Sequence, residues 1–401
     1  MKKMSLRAVL EKKLSFVERA VESNPANVDL KLEKFGLCKE LWERTTLQKG
    51  WKKLAFIHPN SAPLWRKYLL FTQSHFSTFS VSKVNSVFRK CLSTFSAVQD
   101  GSMVSHPPLP GTQEDLLDIF LQQCHFLRQV GHTEKTVCLF QALLDFTFFK
   151  SDSVKNLPTR QQVLFDDIGP SMIRVDRPDL QLQLILSFLQ FLGLPGPSGR
   201  FSTTSSSNIL LDDLAFLEEG PDPERPLTSL LLRLPLTDAL SLLPFSASLW
   251  QLYLQTENHY HNAGHARRFF HSVAKKTNSI VPCLFAITSE QRLRQMLVSV
   301  QRSHRPGEAL PTMPNNGLSN RICCLFENAT ATEHGSHCPL LQRMYLNFMV
   351  CDGNAERGSG ILYKALQAVP WVKGLYMDAV QLFPERVQEF LDLMTEKQLR
   401  L

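Results

Sequence analysis

One phrase occurs twice, and repetition constrains the fold of a chain more than any other single feature. Residues 59–69 read Pro59-Asn-Ser-Ala-Pro-Leu64-Trp65-Arg-Lys-Tyr68-Leu69, and residues 244–254 read Pro244-Phe-Ser-Ala-Ser-Leu249-Trp250-Gln-Leu-Tyr253-Leu254. Proline, Ser-Ala, Leu-Trp and Tyr-Leu fall at the same offsets in both copies. Proline cannot continue a helix, so it ends the preceding one and sets the turn. Ser61 and Ser246 stand where the cap of the next helix is expected. Leu64, Trp65, Tyr68 and Leu69 then form one broad apolar stripe at helical spacing. Aromatic residues at this spacing pack helices together. The two phrases therefore predict an all-α fold, an α-solenoid of helical hairpins. Such arrays mostly bind macromolecules.

A second pattern supports the first. Arg19-Ala20-Val21, Lys90-Cys91-Leu92 and Lys364-Ala365-Leu366 each set a small residue between a basic and an aliphatic one, after an aromatic or aliphatic stretch. The small side chains Ala20, Cys91 and Ala365 let a neighbouring helix approach closely. A proline follows the basic residue at the same interval in Arg19 to Pro25, Lys53 to Pro59 and Lys364 to Pro370. Pro25 and Pro59 are 34 residues apart, the period of a tetratricopeptide-type helix pair. Together the patterns resemble half-a-tetratricopeptide (HAT) repeats. A degraded first-helix copy stands at Leu341-Gln-Arg-Met-Tyr345-Leu-Asn-Phe348.

Helices are predicted near 5–23, 27–43, 45–57, 62–76, 81–96, 113–130 and 132–149, with Gly131-His132 as the last hairpin turn. The organisation expected is a helical array over 1–150, an irregular linker over 151–225 with one helix near 179–192, and a second array over 226–401. A flexible, low-complexity stretch is expected around Gly193 to Gly199 and Thr203 to Ser207. Loops are expected at 99–112, 305–320 and 328–338. The apolar content of 43% suffices for a core across 401 residues. No segment has the length and apolarity of a membrane span, and Lys and Glu interrupt any signal-peptide core near Arg7 to Lys13. An intracellular, non-membrane protein is expected. Nine cysteines, an odd number, point to reduced thiols. Cys38, Cys91, Cys124, Cys138 and Cys283 fall in apolar helical patterns and are expected to pack as small hydrophobes.

No catalytic, cofactor-binding or metal-binding residue is expected. Cys323, Cys324, His334, His337, Cys338 and Cys351 are ligand types, but they lack a CxxC pair and the spacing of a zinc module. His259, His261, His265 and His271 have no cysteine or carboxylate cluster at ligand spacing and read as a polar turn. In Gly193-Leu-Pro-Gly-Pro-Ser-Gly199, prolines remove N–H groups that a phosphate cradle needs. No Walker motif, nucleophile elbow or HExxH is present. The net charge is +7, and residues 1–53 carry 13 Lys and Arg against 7 Asp and Glu. That face is a candidate for RNA or an acidic partner. Its charges are interspersed with acids at helical spacing, however, and no Arg-rich tract or aromatic-studded basic stripe is expected. The simpler reading is a solvated face with intrahelical pairs such as Glu18 with Lys13 and Glu22 with Arg19.

Contiguous text supports a narrower resemblance. The run from Phe16 to Asn27, the run from Trp51 to Leu70 and the segment from Val163 to Met172 are similar to the C-terminal HAT-repeat region of the nuclear RNAi-defective-two family. The resemblance implies a nuclear regulator of the RNA exosome, in nucleoplasm or nuclear speckles, linked to RNA surveillance, splicing and small-RNA-directed silencing. Its implied partners are nuclear RNA-processing proteins. Contact with the exosome-associated RNA helicase is expected from a family region that this sequence does not contain. The chain is expected to be a fragment or splice variant, with a junction after Gln162 resembling an internal deletion. RNA binding by the basic N-terminal face and a general tetratricopeptide-like adaptor role are the alternatives.

Overall fold

The computed structural model describes residues 6–149, 173–192, 212, 217, 233–259, 263–277, 279–303, 315–352 and 355–400. The Val163 to Met172 segment, the Gly193 to Gly199 and Thr203 to Ser207 stretches and His261 lie outside them. Among the described residues every regular element is helical. The fold is the all-α, α-solenoid class of HAT-like hairpins predicted from the repeats.

The helices are α1 (Leu6–Ser23), α2 (Val28–Leu41), α3 (Arg44–Ile57), α4 (Ala62–Gln73), α5 (Val81–Gln99), α6 (Thr112–Gln129), α7 (Thr133–Phe148) and α8 (Pro178–Phe191). They continue with α9 (Arg233–Leu242), α10 (Ala247–His259), α11 (Ala263–Lys276), α12 (Val281–Ser303) and α13 (Asn315–Thr330). The last are α14 (Glu333–Ser336), α15 (Pro339–Cys351), α16 (Ala355–Ala368), α17 (Lys373–Leu382) and α18 (Val387–Glu396). Two expectations need correction. The loop placed at 305–320 gives way to α13 from Asn315 onward, and the polar stretch 328–338 holds the end of α13 and all of α14. Thr332 starts α14 by accepting the Gly335 N–H at 2.9 Å, so a hydroxyl replaces the missing ladder partner.

Two compact units divide the chain. One comprises Met1–Gln73, Ser80–Arg128 and His132–Ile185; the other comprises Ser74–Phe79, Gln129–Gly131 and Leu186–Leu401. In the first unit α1 packs on α2, α2 on α3 and α4, and α4 on α5. In the second, α10 packs on α11 and α12, α12 on α13, α13 on α15, and α15 on α16 and α17. Contacts run from each helix to the next and the next but one, as in a repeat stack. Hairpin turns follow local chemistry. Asn27 caps α2 by accepting the Leu30 N–H at 3.1 Å, and Gly131 takes φ +92° where a Cβ would be strained. Gly358 in α16 faces Val350, where an added Cβ would stand 3.0 Å from Cγ2, so close helix contact explains this glycine.

The cores are aromatic. In the first unit Trp51 stacks on Tyr68 with ring centres 5.9 Å apart. In the second Trp250 stacks on Phe270 at 4.9 Å, and Phe326 on Tyr345 at 4.7 Å. Burying such rings removes large apolar areas from water and dominates the stability of each hairpin.

Candidate interaction site

The repeated phrase builds one local device. Trp65 is the fourth residue of α4, is 1% exposed, and donates its indole N–H to the Pro59 carbonyl at 3.0 Å. Trp250 is the fourth residue of α10, is fully buried, and donates to the Pro244 carbonyl at 2.8 Å. The turn before a helix exposes a carbonyl that no ladder bond satisfies, and the indole supplies the donor without leaving the core.

The same bond to the carbonyl six residues back occurs in three further helices. Gln181 of α8 reaches Val175 at 3.0 Å, Gln342 of α15 reaches Ser336 at 2.9 Å, and the Tyr376 hydroxyl of α17 reaches Pro370 at 3.0 Å. Each donor is the fourth residue of its helix. Each follows a leucine: Leu64, Leu180, Leu249, Leu341 and Leu375. The copy at Leu341 to Phe348, legible as degraded, keeps the bond with glutamine in place of tryptophan. The copies at Leu180-Gln181 and Leu375-Tyr376 are missed by a search for tryptophan. The signal that finds them is leucine followed by any long donor, four residues into a helix after a turn.

The other motif residues are packing residues. Pro59, Leu64, Tyr68, Pro244 and Tyr253 are buried, as are Cys91 and Ala365, whereas Leu249 is half-buried against the core. Ala20, in α1, is also only half-buried. Ser246 accepts the Leu249 N–H as a long cap at 3.4 Å. Burial raises the Tyr68 phenol above its ordinary range, so it stays protonated.

A cleft of about 250 Å3 lies between α12 and α15, lined by Gln291, Arg294, Gln295, Met344, Asn347 and Phe348 among others. The Arg294 guanidinium sits 5.4 Å from the Phe348 ring centre and pairs with Asp352, which also accepts from the Ser319 hydroxyl at 3.1 Å. Arg343 forms a two-pronged pair with Asp378 at 2.6 and 2.9 Å. The lining offers an apolar floor, side-chain amides and cations. It contains no carboxylate or imidazole that could move a proton.

The cysteine and histidine candidates do not converge. Cys323 lies against the Met349 sulfur at 3.5 Å, Cys338 is buried with its thiol pushed up to about 12, and Cys324 and Cys351 are exposed. His337 Nδ1 is 3.0 Å from the Ala368 carbonyl. Among the described residues no three His, Cys, Asp or Glu side chains come together as a metal site. His265 instead stands 3.2 Å from both the Tyr253 hydroxyl and the buried Glu257 carboxylate. Cys38, Cys91 and Cys124 are buried, but Cys138 is exposed on the outer side of α7, against expectation. Glu18 pairs with Lys34 across the α1–α2 hairpin at 2.9 Å rather than with Lys13, and Arg19 lies over Phe16 at 4.8 Å. No described helix is long and apolar enough to cross a membrane.

A family model described as "NRDE-2, necessary for RNA interference" matches residues 1–162. A mouse protein named nuclear exosome regulator NRDE2 is 28% identical, with 99% of this chain and 68% of that protein aligned. The human protein of the same name is also 28% identical, over 100% of this chain and 68% of its own length. A Dictyostelium discoideum protein so named is 24% identical over 38% of this chain and 12% of its length. The chain is thus similar to the NRDE-2 family over residues 1–162 and to the NRDE2 proteins of mouse and human along its whole length. Its alignment to the mouse family member runs over 794 positions, about twice the 401 residues here, so about half of those positions lie opposite gaps in this chain. The family-model match ends at residue 162.

Proposed function

We propose that this chain is a non-catalytic helical scaffold in nuclear RNA surveillance and RNA processing. The observation that carries the reading is the conjunction of a clasped hairpin array with relatives named as nuclear exosome regulators. Repeat arrays present extended surfaces, and surfaces of this kind hold partner proteins. The relatives are named as regulators rather than as enzymes, and the cleft between α12 and α15 has the lining of a peptide site. Its amides can bond an extended or helical segment of a partner while Met344 and Phe348 take an apolar anchor.

On this reading the partners are nuclear RNA-processing proteins, the location is the nucleoplasm or nuclear speckles, and splicing and small-RNA silencing are the processes served. The contact with the exosome-associated helicase is placed outside these residues. Affinity purification of the tagged chain from nuclear extract, beside a full-length family member, tests it. The chain should capture RNA-processing proteins with little helicase, and Met344→Glu should reduce that capture. Stoichiometric helicase in the eluate would move its contact into the repeats. An eluate without RNA-processing proteins would refute the scaffold reading.

A further inference from the structure

Folding creates a stripe that the linear sequence conceals. Helix α3 carries Arg44, Lys49, Lys52 and Lys53 and no carboxylate. Leu47, Trp51, Leu54 and Ala55 turn inward and are buried. At about 100° per residue, Lys49, Lys52, Lys53 and Phe56 then fall within about 100° of arc on the opposite side. All four are exposed, Phe56 by 83%, and Ile57 beside them by 42%. The Phe56 ring, one turn after Lys52, therefore lies largely in solvent beside the lysines.

Neighbouring helices extend the positive field. Arg44 at the start of α3 lies over the Phe71 ring of α4 at 5.0 Å, and burial lowers its guanidinium to about 10. Lys83 of α5 is lowered by its own burial and then by the charges of Arg44 and Lys52. Arg44, Lys52 and Lys83 thus bring positive charge from two helices close together.

We propose that the outer face of α3, with Arg44 and Lys83 at its edge, binds single-stranded RNA. The lysines take the phosphates and Phe56 stacks a base. Charge complementarity and the exposed ring select this occupant. Cations alone would serve any acidic chain, but a solvent-facing ring among lysines is the platform on which unpaired bases stack. A duplex would offer its phosphates and leave Phe56 without a base face.

The test is fluorescence anisotropy of the full chain with labelled 12-nucleotide oligouridylate, a duplex of equal length and oligoglutamate. The single strand should bind best, with a log–log salt slope of about −2 to −3 for three or four phosphate contacts. Lys49→Gln, Lys52→Gln and Lys53→Gln together should weaken it about tenfold or more and flatten the slope by about 2. Phe56→Ala should weaken it about tenfold without changing the slope. Circular dichroism melts of the variants should match wild type because these side chains are exposed. Should the triple variant lose helicity, each single Lys→Gln change carries the test, lowering the slope by about 0.7. Unchanged affinity in the lysine variants would overturn the site. Equal binding of oligoglutamate, or no effect of Phe56→Ala, would overturn the RNA assignment in favour of an acidic protein partner. The scaffold reading stands or falls separately, by the purification above.

Discussion

Tyr376→Phe isolates the clasp from the packing around it. Tyr376 is fully buried, and its hydroxyl donates to the Pro370 carbonyl at 3.0 Å. Burial, with the Glu396 charge, raises the phenol well above its ordinary range, so the donor proton is present at any working pH. Phenylalanine keeps the ring, makes no cavity of note, and leaves a buried carbonyl without its donor. An orphaned buried acceptor costs about 1–3 kcal/mol. In a unit of some two hundred residues that is a fall of about 2–12 °C in melting midpoint. Tyr345→Phe is the control. Its hydroxyl meets Glu327 only at 3.4 Å, and Glu327 keeps the Arg357 guanidinium at 2.7 Å. That change should cost under about 0.5 kcal/mol. Urea and thermal melts of the full chain followed at 222 nm read both. If Tyr376→Phe melts with wild type, or no lower than Tyr345→Phe, the bond does not tie the turn to the helix and the argument fails.

Trp65→Ala and Trp250→Ala remove the donor and a buried ring together, and each should cost about 3–5 kcal/mol in denaturant titration; wild-type midpoints in both would make these surface residues. Protein purified without added metal should hold well under one zinc per chain by elemental analysis, because the Cys323 to Cys351 residues diverge; one tight zinc would rebuild that segment as a structural site. Burial, with nearby Arg128, lowers the His125 imidazole to about 3, so it is neutral in the fold. The unfolded chain takes up that proton first as pH falls below about 6.5, so stability is full above that value and declines by at most about 1.4 kcal/mol per pH unit below it. Urea midpoints at neutral and acid pH should show a smaller decline in His125→Gln; an identical decline would remove His125 as a cause.

Much of the fold was legible because its punctuation is local. Prolines 25, 59, 244 and 370 mark turns, and the predicted helices up to 149 fall within a few residues of those observed. The ends that moved did so for local reasons: a short 3-10 turn at Phe76–Thr78 stops α4 early, and α5 runs on until the Ser96 carbonyl takes the Asp100 N–H. The segment 328–338 reads as a loop because Thr, Glu, His and Ser are as common in caps as in loops; only the Thr332 bond distinguishes them. The α3 stripe was hidden for another reason. Its cations and its ring are scattered in the text among Leu47, Trp51, Leu54 and Ala55, and only helical winding sorts them onto opposite sides.

The clasp explains why these repeats fade in the sequence while persisting in the fold. The turn before each first helix requires one donor at one place, the fourth residue, and tolerates indole, phenol or amide there. What differs is the packing that accompanies the donor. Trp250 has ring contacts with Phe269, Phe270 and Phe285, whereas Gln342 occupies a position whose apolar load is carried by Leu340, Leu341 and Tyr345 in the same helix. A leucine before the donor is kept in all five copies because that side chain holds the helix on its neighbour whichever donor follows. The hairpin thus depends on an inward-facing pair and one carbonyl. The outward positions carry no such requirement. A face such as that of α3, with three lysines and a bare phenylalanine, contributes nothing to the hairpin that alanine would not. Its three lysines and exposed ring can therefore be changed, as in the RNA-binding test, without touching the clasp.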